Sequence, residues 1–316
     1  MAKHRIRKYS RRTKSQYKKS VAPIVLSVIA FLLLSVIISI FIGLSLQKRA
    51  EEAGEPEKRF DFEKVEYTSG DKVVSSVEAY NFPKGADAAS YVAQDIYDLS
   101  VCIRHENGEI DYRFDIAEQY GLDNMDGGYS FADLCESAHK AGGRVCAYMY
   151  VGTFEVEDEY QREIRKAYEI ALINEAAKAG ADDILLLGLD VTSDNIAQIE
   201  DFVALAAKAA EKTPLGVAVS IETVAQNDKE IYLAARLRSA CDYLALDLTY
   251  LKLSDANSKG SDENGELLPS LLEQTIAKHE YYIKSYPMRV LLPKEHSKLY
   301  IPTLELGVVD MQIVGD

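Results

Sequence analysis

The chain alternates short, continuously apolar runs with longer amphipathic segments. Strands that are buried on both faces of a parallel sheet have this continuously apolar character, whereas surface strands alternate between apolar and polar residues. The sequence therefore predicts eight buried strands, at residues 75–80, 99–103, 144–151, 183–189, 215–221, 242–248, 288–292 and 308–314.

The segments between these runs have the periodicity of surface helices. In one of them, apolar residues recur every three or four positions between Ile164 and Ala176, and Gly180 follows in a position typical of a helix C-cap. The next segment has the same period from Ile196 to Ala206, after a Ser-Asp pair at residues 193–194 that can supply an N-cap. Strands that alternate with helices in this way indicate a parallel sheet with helical crossovers.

Residues 71–316 are predicted to form a (β/α)8 TIM-type barrel, because about 245 residues and eight strands match the usual ~250 residues of that fold. The sequence stops at Asp316, soon after the last predicted strand, so we expect the eighth helix to be missing. An open doubly wound sheet is the alternative, since periodicity does not give strand order. No GxGxxG turn follows the first strand, and no cofactor is expected.

The N-terminal part of the sequence predicts a membrane anchor. Residues 21–46 form an uncharged, mostly apolar run that is long enough to cross about 30 Å of hydrocarbon as a helix. Nine Lys and Arg residues and no acidic residue precede this run, which predicts a cytoplasmic tail at residues 1–20. The apolar run is too long for a signal peptide, so the anchor is expected to stay uncleaved and to contact membrane lipid. Residues 47–70 are polar and predicted to form a tether to an extracytoplasmic barrel.

Charge is distributed unevenly along the chain. Eleven of the 36 Lys and Arg residues, and none of the 50 Asp and Glu residues, lie within the first 49 positions, which leaves the remainder with a net charge near −25. A strongly acidic domain repels polyanions, so nucleic acid is not an expected partner. Neutral or cationic ligands fit this charge.

Acidic residues follow the carboxyl ends of four predicted strands, where a barrel of this type places its functional groups. These candidate catalytic residues are Asp190, Glu222, Asp247 and Glu295. Glycoside hydrolysis uses two carboxyl groups, one to protonate the leaving oxygen and one to attack or to activate water. Acidic residues also cap the turns that follow strands, so a structural role stays open for each of the four.

Tyrosine and histidine supply the candidate ligand contacts. The chain has 20 Tyr and no Trp, and a Tyr near a strand end can offer a flat ring and a hydroxyl group to a ligand. The candidate ligand-binding residues are Tyr80, His105, Tyr112, Tyr148, Tyr150 and Tyr250. Half-buried packing is the alternative role for these side chains. The missing Trp weakens a carbohydrate-binding interpretation without excluding it.

Other chemistry leaves little trace in the sequence. The histidines have no paired spacing, so no metal site is expected, and no GxSxG motif indicates a serine hydrolase. The four cysteines lie in apolar runs and are expected to be small buried side chains. Cys102 and Cys146 fall on consecutive predicted strands, and the sequence leaves open whether they pair.

Residues 99–112 (LSVCIRHENGEIDY) and 142–148 (GGRVCAY) resemble the second and third strands of a glycoside-hydrolase-like barrel family of membrane-anchored bacterial envelope proteins. The resemblance implies the barrel fold from about residue 75 onward. The family's Asp-Lys-Asp-like turn stands here as Arg-His-Glu at residues 104–106, and its fourth-strand Asp-Tyr-x-Arg-Phe-Pro-like signature stands as GLDVTS at residues 188–193. Only Asp190 matches that signature.

Two functions follow as hypotheses. The first is an envelope enzyme that cleaves glycosidic bonds, with Asp190 and either Glu222 or Asp247 as the catalytic pair. The second is a degenerate barrel that binds a glycan or an envelope protein without turnover. The departures from the family signature and the missing Trp favour the second hypothesis.

Overall fold

A computed structural model describes residue 64, residues 66–125, 128–220, 233 and 236–249, and, further along the chain, residues 273–274, 276–277, 288–293, 303, 308 and 310–314. No helix within these ranges is long and apolar enough to cross a membrane. The predicted anchor at residues 21–46 lies outside them, as do the basic tail and most of the tether. Glu222, Tyr250 and Glu295 also lie outside the described residues.

Twelve strands are described. In chain order they are β1 Glu66–Ser69, β2 Lys72–Ser75, β3 Glu78–Asn81, β4 Asp98–Arg104, β5 Glu109–Ile110, β6 Asn124–Met125, β7 Arg144–Tyr150, β8 Asp183–Leu187, β9 Leu215–Ser220, β10 Tyr243–Asp247, β11 Met288–Pro293 and β12 Met311–Val314. Strands β3, β4 and β7–β12 coincide with the eight predicted runs, and each predicted strand is thereby confirmed to within a few residues at its ends.

These eight strands form a closed parallel barrel in the order β10-β11-β12-β3-β4-β7-β8-β9. Strand β12, the last in the barrel, pairs with β3, the first, with Met311 opposite Glu78 and Gln312 opposite Ala79. Strand β9 pairs with β10 along its length. The predicted barrel is confirmed and the open doubly wound sheet is wrong. Closure leaves no free edge, which suits strands whose residues are apolar on both faces.

Helices cover the outside of the barrel. The described helices are α1 Ala88–Val92, α2 Asp115–Tyr120, α3 Phe131–Ala141, α4 Glu159–Ala179 and α5 Ile196–Ala209, with a short 3-10 helix at Thr153–Glu155. Helix α4 ends at Gly180 with φ +108°, as the sequence predicts, and α5 buries the predicted apolar face. The expected Ser-Asp cap of α5 is wrong, because Asn195 is the N-cap and its side chain binds the preceding turn instead.

An antiparallel hairpin, β1–β2, closes the N-terminal end of the barrel. Its Tyr67 hydroxyl donates to the Asp242 carbonyl at 2.6 Å, and Ser69 and Lys72 donate to the Asp242 carboxylate at 2.8 and 2.9 Å. Val74 packs among the side chains of the barrel lumen. Residues 66–69 fall within the predicted tether, because these short, half-exposed strands lack the apolar run by which a buried strand is predicted.

The lower half of the lumen, near this hairpin, is polar. Arg289 is fully buried and donates two hydrogen bonds to Asp183, at 3.1 and 3.0 Å, and one to Asp310 at 3.0 Å. Its guanidinium lies 4.5 Å from the ring centroid of Tyr243, whose hydroxyl donates to Asp183. The upper half is mainly apolar. All four cysteines are buried and free, so Cys102 and Cys146 are not paired.

Replacing Gly216 with Ala tests this packing. Gly216 lies under the Tyr243 ring, and an added Cβ would lie 2.3 Å from two ring atoms. The ring cannot move away easily, because its hydroxyl is held by Asp183 and Arg289. We expect Gly216→Ala to lower the free energy of unfolding by about 1–3 kcal/mol in a urea titration.

Gly128→Ala is the matched control, because Gly128 is exposed and no heavy atom lies within 4 Å of its added Cβ. Its effect should stay within about 0.5 kcal/mol. Equal losses in the two variants would show that the Tyr243 ring is not held against β9 as described.

Candidate functional site

The C-terminal end of the barrel, which we call the mouth, is the end where parallel α/β barrels place their functional side chains. Two of the four predicted catalytic acids are described there. Asp247 ends β10 and is half-buried, and its Oδ1 accepts hydrogen bonds from the Thr249 backbone N–H at 2.8 Å and hydroxyl at 2.6 Å. These bonds are those of a side chain that caps its own turn.

Asp190 lies beyond the end of β8 and is exposed. Its backbone carbonyl accepts a hydrogen bond from the Asn195 side chain at 2.7 Å, and Asn195 also accepts from the Thr192 N–H at 2.8 Å. Asn195 thus organises the turn before α5, and Asp190 takes part in this turn through its backbone carbonyl. No hydrogen bond links Asp190 to Asp247, and the positions of Glu222 and Glu295 are outside the described residues.

The described tyrosines that are predicted to bind a ligand lie in different parts of the barrel domain. Tyr148 and Tyr150, on β7, belong to the lumen cluster, in which Tyr148 is fully buried and Tyr150 is half-buried nearer the mouth. Tyr80 is half-buried and packs against the core outside the barrel. Of these three side chains, Tyr150 is placed best to contact a ligand in the mouth.

Tyr112 is packed outside the barrel rather than in the mouth. It is 1% exposed, its ring centroid lies 5.8 Å from that of Phe131, and burial raises the pKa of its hydroxyl. Its hydroxyl has no hydrogen-bond partner within the described part of the chain. Tyr112 therefore has the packing role that is the alternative to ligand binding for these tyrosines.

His105 directly follows β4 and forms a cluster with two residues that the sequence analysis did not identify. Its Nε2 lies 3.0 Å from Asp111 Oδ2, and the Lys84 Nζ lies 3.7 Å from Asp111 Oδ1. A tight turn holds His105 in place, since its N–H donates to the Glu109 carbonyl at 2.9 Å. Asp111 follows the two-residue strand β5, which is too short to give a periodic signal in the sequence.

A buried charged cluster supports the mouth from outside the barrel wall. Arg104, at the end of β4, donates to Asp123 Oδ2 at 2.8 Å and to the Tyr150 carbonyl at 2.6 Å. Arg165 of α4 also binds Asp123. Burial alone raises the pKa of the Asp123 carboxyl, but the hydrogen bonds and charges of the two arginines outweigh burial and hold this pKa below its usual value.

Glu169 belongs to the same cluster. It accepts hydrogen bonds from the Gly152 N–H at 2.8 Å and the Thr153 hydroxyl at 2.6 Å, and Arg104 Nη1 lies 3.9 Å away. Burial raises the pKa of Glu169 although these contacts lower it. A raised pKa is what a general acid in a glycosidase needs, but Glu169 is 0% exposed and both of its oxygens are occupied. It holds the loop after β7 and cannot reach a ligand.

The described part of the mouth therefore offers hydrogen-bonding groups and one accessible aromatic ring. No group of three His, Cys, Asp or Glu side chains that could hold a metal ion occurs in the described ranges. The arrangement suits a polar ligand that is recognised by hydrogen bonds and by contact with a ring.

Comparisons with known proteins do not assign the chain to a family. No protein family model matches it, and no curated protein matches it. Among solved structures it is similar to the spore cortex-lytic enzyme SleL of Bacillus cereus, with 9% identity and a TM-score of 0.41, covering 69% of this chain and 50% of SleL. The chain thus spans about half the length of SleL.

Two further similar structures have other activities. A chitinase of Chromobacterium violaceum has 13% identity and a TM-score of 0.43, with 69% of this chain and 68% of the chitinase covered. The tryptophan synthase A-subunit of Pyrococcus furiosus has 13% identity and a TM-score of 0.43, with 76% of this chain and 86% of the subunit covered. Similarities this low support no conclusion about family or activity, and the barrel rests on the strand pairing of this chain.

Asp123→Asn tests the charged cluster through its pH dependence. The pKa of Asp123 is lower in the folded state than in the unfolded state, so its ionised form stabilises the fold above about pH 4 and this stabilisation is lost as pH falls through the folded pKa. At pH 7 we expect the variant to lose about 3–5 kcal/mol of unfolding free energy, since it leaves the buried Arg104 and the half-buried Arg165 without this carboxylate.

The measurement is a urea titration of wild type and Asp123→Asn at several pH values. The difference between them should shrink as pH falls from about 5 to about 2. A difference that stays constant over this range would contradict an ionised, arginine-bound Asp123.

Proposed function

We propose that this chain is a membrane-anchored extracytoplasmic barrel that binds a glycan at its mouth without turnover. The observation that carries the proposal is the placement of Asp190 and Asp247. A glycosidase acid must stay protonated near neutral pH, which requires burial or a neighbouring like charge. Asp190 is exposed, and Asp247 accepts two hydrogen bonds from its own turn.

Two further carboxyl groups in the described part of the barrel are engaged elsewhere. Glu169 and Asp310 both have a pKa raised by burial, but Glu169 holds the loop after β7 and Asp310 binds Arg289 at the opposite end of the lumen. Neither is available to protonate a leaving group at the mouth. This distribution favours binding over hydrolysis.

Binding of a neutral sugar is supported by the remaining mouth groups. Tyr150 offers a half-buried ring, and the cluster of Lys84, His105 and Asp111 mixes donors with an acceptor, as ligands rich in hydroxyl groups require. The acidic surface of the domain disfavours polyanionic ligands. The resemblance of residues 99–112 and 142–148 to a glycoside-hydrolase-like barrel family is in line with a carbohydrate ligand.

The anchor belongs to the same proposal. The uncharged run at residues 21–46 and the basic tail before it support a barrel on the outer face of the membrane, reached through the predicted tether at residues 47–70. In that position the mouth meets glycans of the cell envelope. An envelope protein is the other class of partner, and the experiment below separates the two.

The test uses protoplasts that carry the full-length chain and labelled oligosaccharides from envelope and plant-type glycans. At least one oligosaccharide should bind saturably to intact protoplasts and release no product. Tyr150→Ala should weaken this binding about five- to tenfold through loss of ring contact, whereas Tyr160→Ala, at a 72% exposed ring on α4, should not change it.

Three results would contradict the proposal. Turnover that disappears in Asp190→Asn would establish a hydrolase. Binding that requires permeabilised protoplasts would reverse the orientation. The third is that none of the oligosaccharides binds, but an envelope protein does and its binding requires Tyr150. The partner would then be a protein and not a glycan.

A further inference from the structure

A cavity of about 220 Å³ lies at the N-terminal end of the barrel, on the side opposite the mouth. Its walls come from β2 of the hairpin, from β7 and from the residues at the start of β8. The side chains that matter here are Val74, Ser75, Arg144, Asp182 and Asp183. The cavity is separate from the proposed glycan site, which lies at the mouth.

The cavity exists because the hairpin is anchored on one side. Tyr67, Ser69 and Lys72 all bind Asp242, and Lys72 also binds the Ala207 carbonyl at 2.9 Å. These anchors lie on the side of α5, β9 and β10. Strand β2 then spans the end of the barrel towards β7 and β8, and a gap remains beneath it on that side.

Arg144 has unused donors at this gap. Its Nε donates to Asp98 Oδ1 at 2.7 Å and its Nη2 to the Ser76 carbonyl at 3.4 Å. Among the described residues, no hydrogen-bond acceptor lies within bonding distance of its Nη1. The side chain is 39% exposed, so a ligand can reach it from solvent.

Asp182 has an unused acceptor in the same cavity. Its Oδ2 accepts the Val145 N–H at 2.7 Å and lies 2.8 Å from His139 Nε2. No donor from the ranges that the structure describes reaches its Oδ1. The cavity therefore combines the Arg144 cation and the Asp182 anion, which can each take a further hydrogen bond, with an apolar wall that includes Val74. Asp183 also lines the cavity, but both of its oxygens accept hydrogen bonds from Arg289.

We propose that this cavity binds a small aliphatic α-amino acid. The ligand carboxylate would bind Arg144, its ammonium group would bind Asp182, and its side chain would lie against Val74. At the density of liquid water 220 Å³ holds on the order of seven water molecules, which is close to the number of heavy atoms in alanine or valine. A ligand with both charges satisfies both side chains, and a ligand with one charge does not.

The experiment is isothermal titration of the full-length chain in detergent with L-alanine and L-valine. At least one of the two amino acids should bind saturably. Its amide and its N-acetyl derivative should bind at least about tenfold more weakly, because each has lost one charged hydrogen bond. Ser75→Leu should abolish binding by filling the cavity, whereas Ser75→Ala leaves it open and should bind like wild type.

Asp182→Asn provides a second variant in case Ser75→Leu disturbs the hairpin. It should weaken binding about tenfold, and Asp133→Asn, an exposed residue of α3, should have no effect. The proposal is overturned if neither amino acid binds, if the derivatives bind as well as the parent, or if Asp182→Asn binds like wild type.

Discussion

The barrel depends on the burial of one guanidinium group, that of Arg289. A buried charge is destabilising by several kcal/mol unless its hydrogen bonds are satisfied. Here the bidentate contact with Asp183 and the contact with Asp310 supply two carboxylates, and Gln312 Oε1 accepts a further bond at 2.8 Å. Gln312 in turn donates to Ser100 at 3.2 Å. One network thus joins β4, β8, β10, β11 and β12, strands that are far apart in the sequence.

This network gives the two ends of the barrel different properties. At the N-terminal end the charges are buried and mutually satisfied, and the hairpin covers them. At the mouth, Asp190, Asp247 and the His105 cluster remain partly exposed, and the buried cluster of Arg104, Asp123 and Glu169 lies outside the wall. Among the described residues, the carboxylates whose pKa burial raises, Glu169 and Asp310, are those used to hold the structure. This division is the physical basis of the proposal that the barrel binds rather than cleaves.

The barrel itself could be predicted from the sequence, because most of its strands are buried on both faces and their apolar runs show this directly. The hairpin could not, because β1 and β2 are short and half-exposed and are stabilised by a contact with Asp242, some 170 positions away in the chain. The cluster around Arg104 escaped prediction for the same reason. Its partners come from a loop and from α4, and no local pattern links them.

The candidate site was predictable in position but not in orientation. The sequence places Tyr112 and Tyr150 near strand ends, yet Tyr112 is packed outside the barrel and Tyr150 faces the lumen. Period-two alternation fixes the face of a residue only within a strand, and Tyr112 lies beyond the end of β5. Asp111 and Lys84, which complete the His105 cluster, lie in loops where the sequence gives no spatial information.

The most direct test of this account is the unfolding free energy of Arg289→Met, measured by urea titration beside Arg113→Met at an exposed position. We predict a loss of about 3–5 kcal/mol for Arg289→Met, because the buried Asp183 and the half-buried Asp310 would lose their cation. The Arg113 variant should stay within about 0.5 kcal/mol of wild type. An Arg289→Met protein as stable as wild type would contradict the central role of this network.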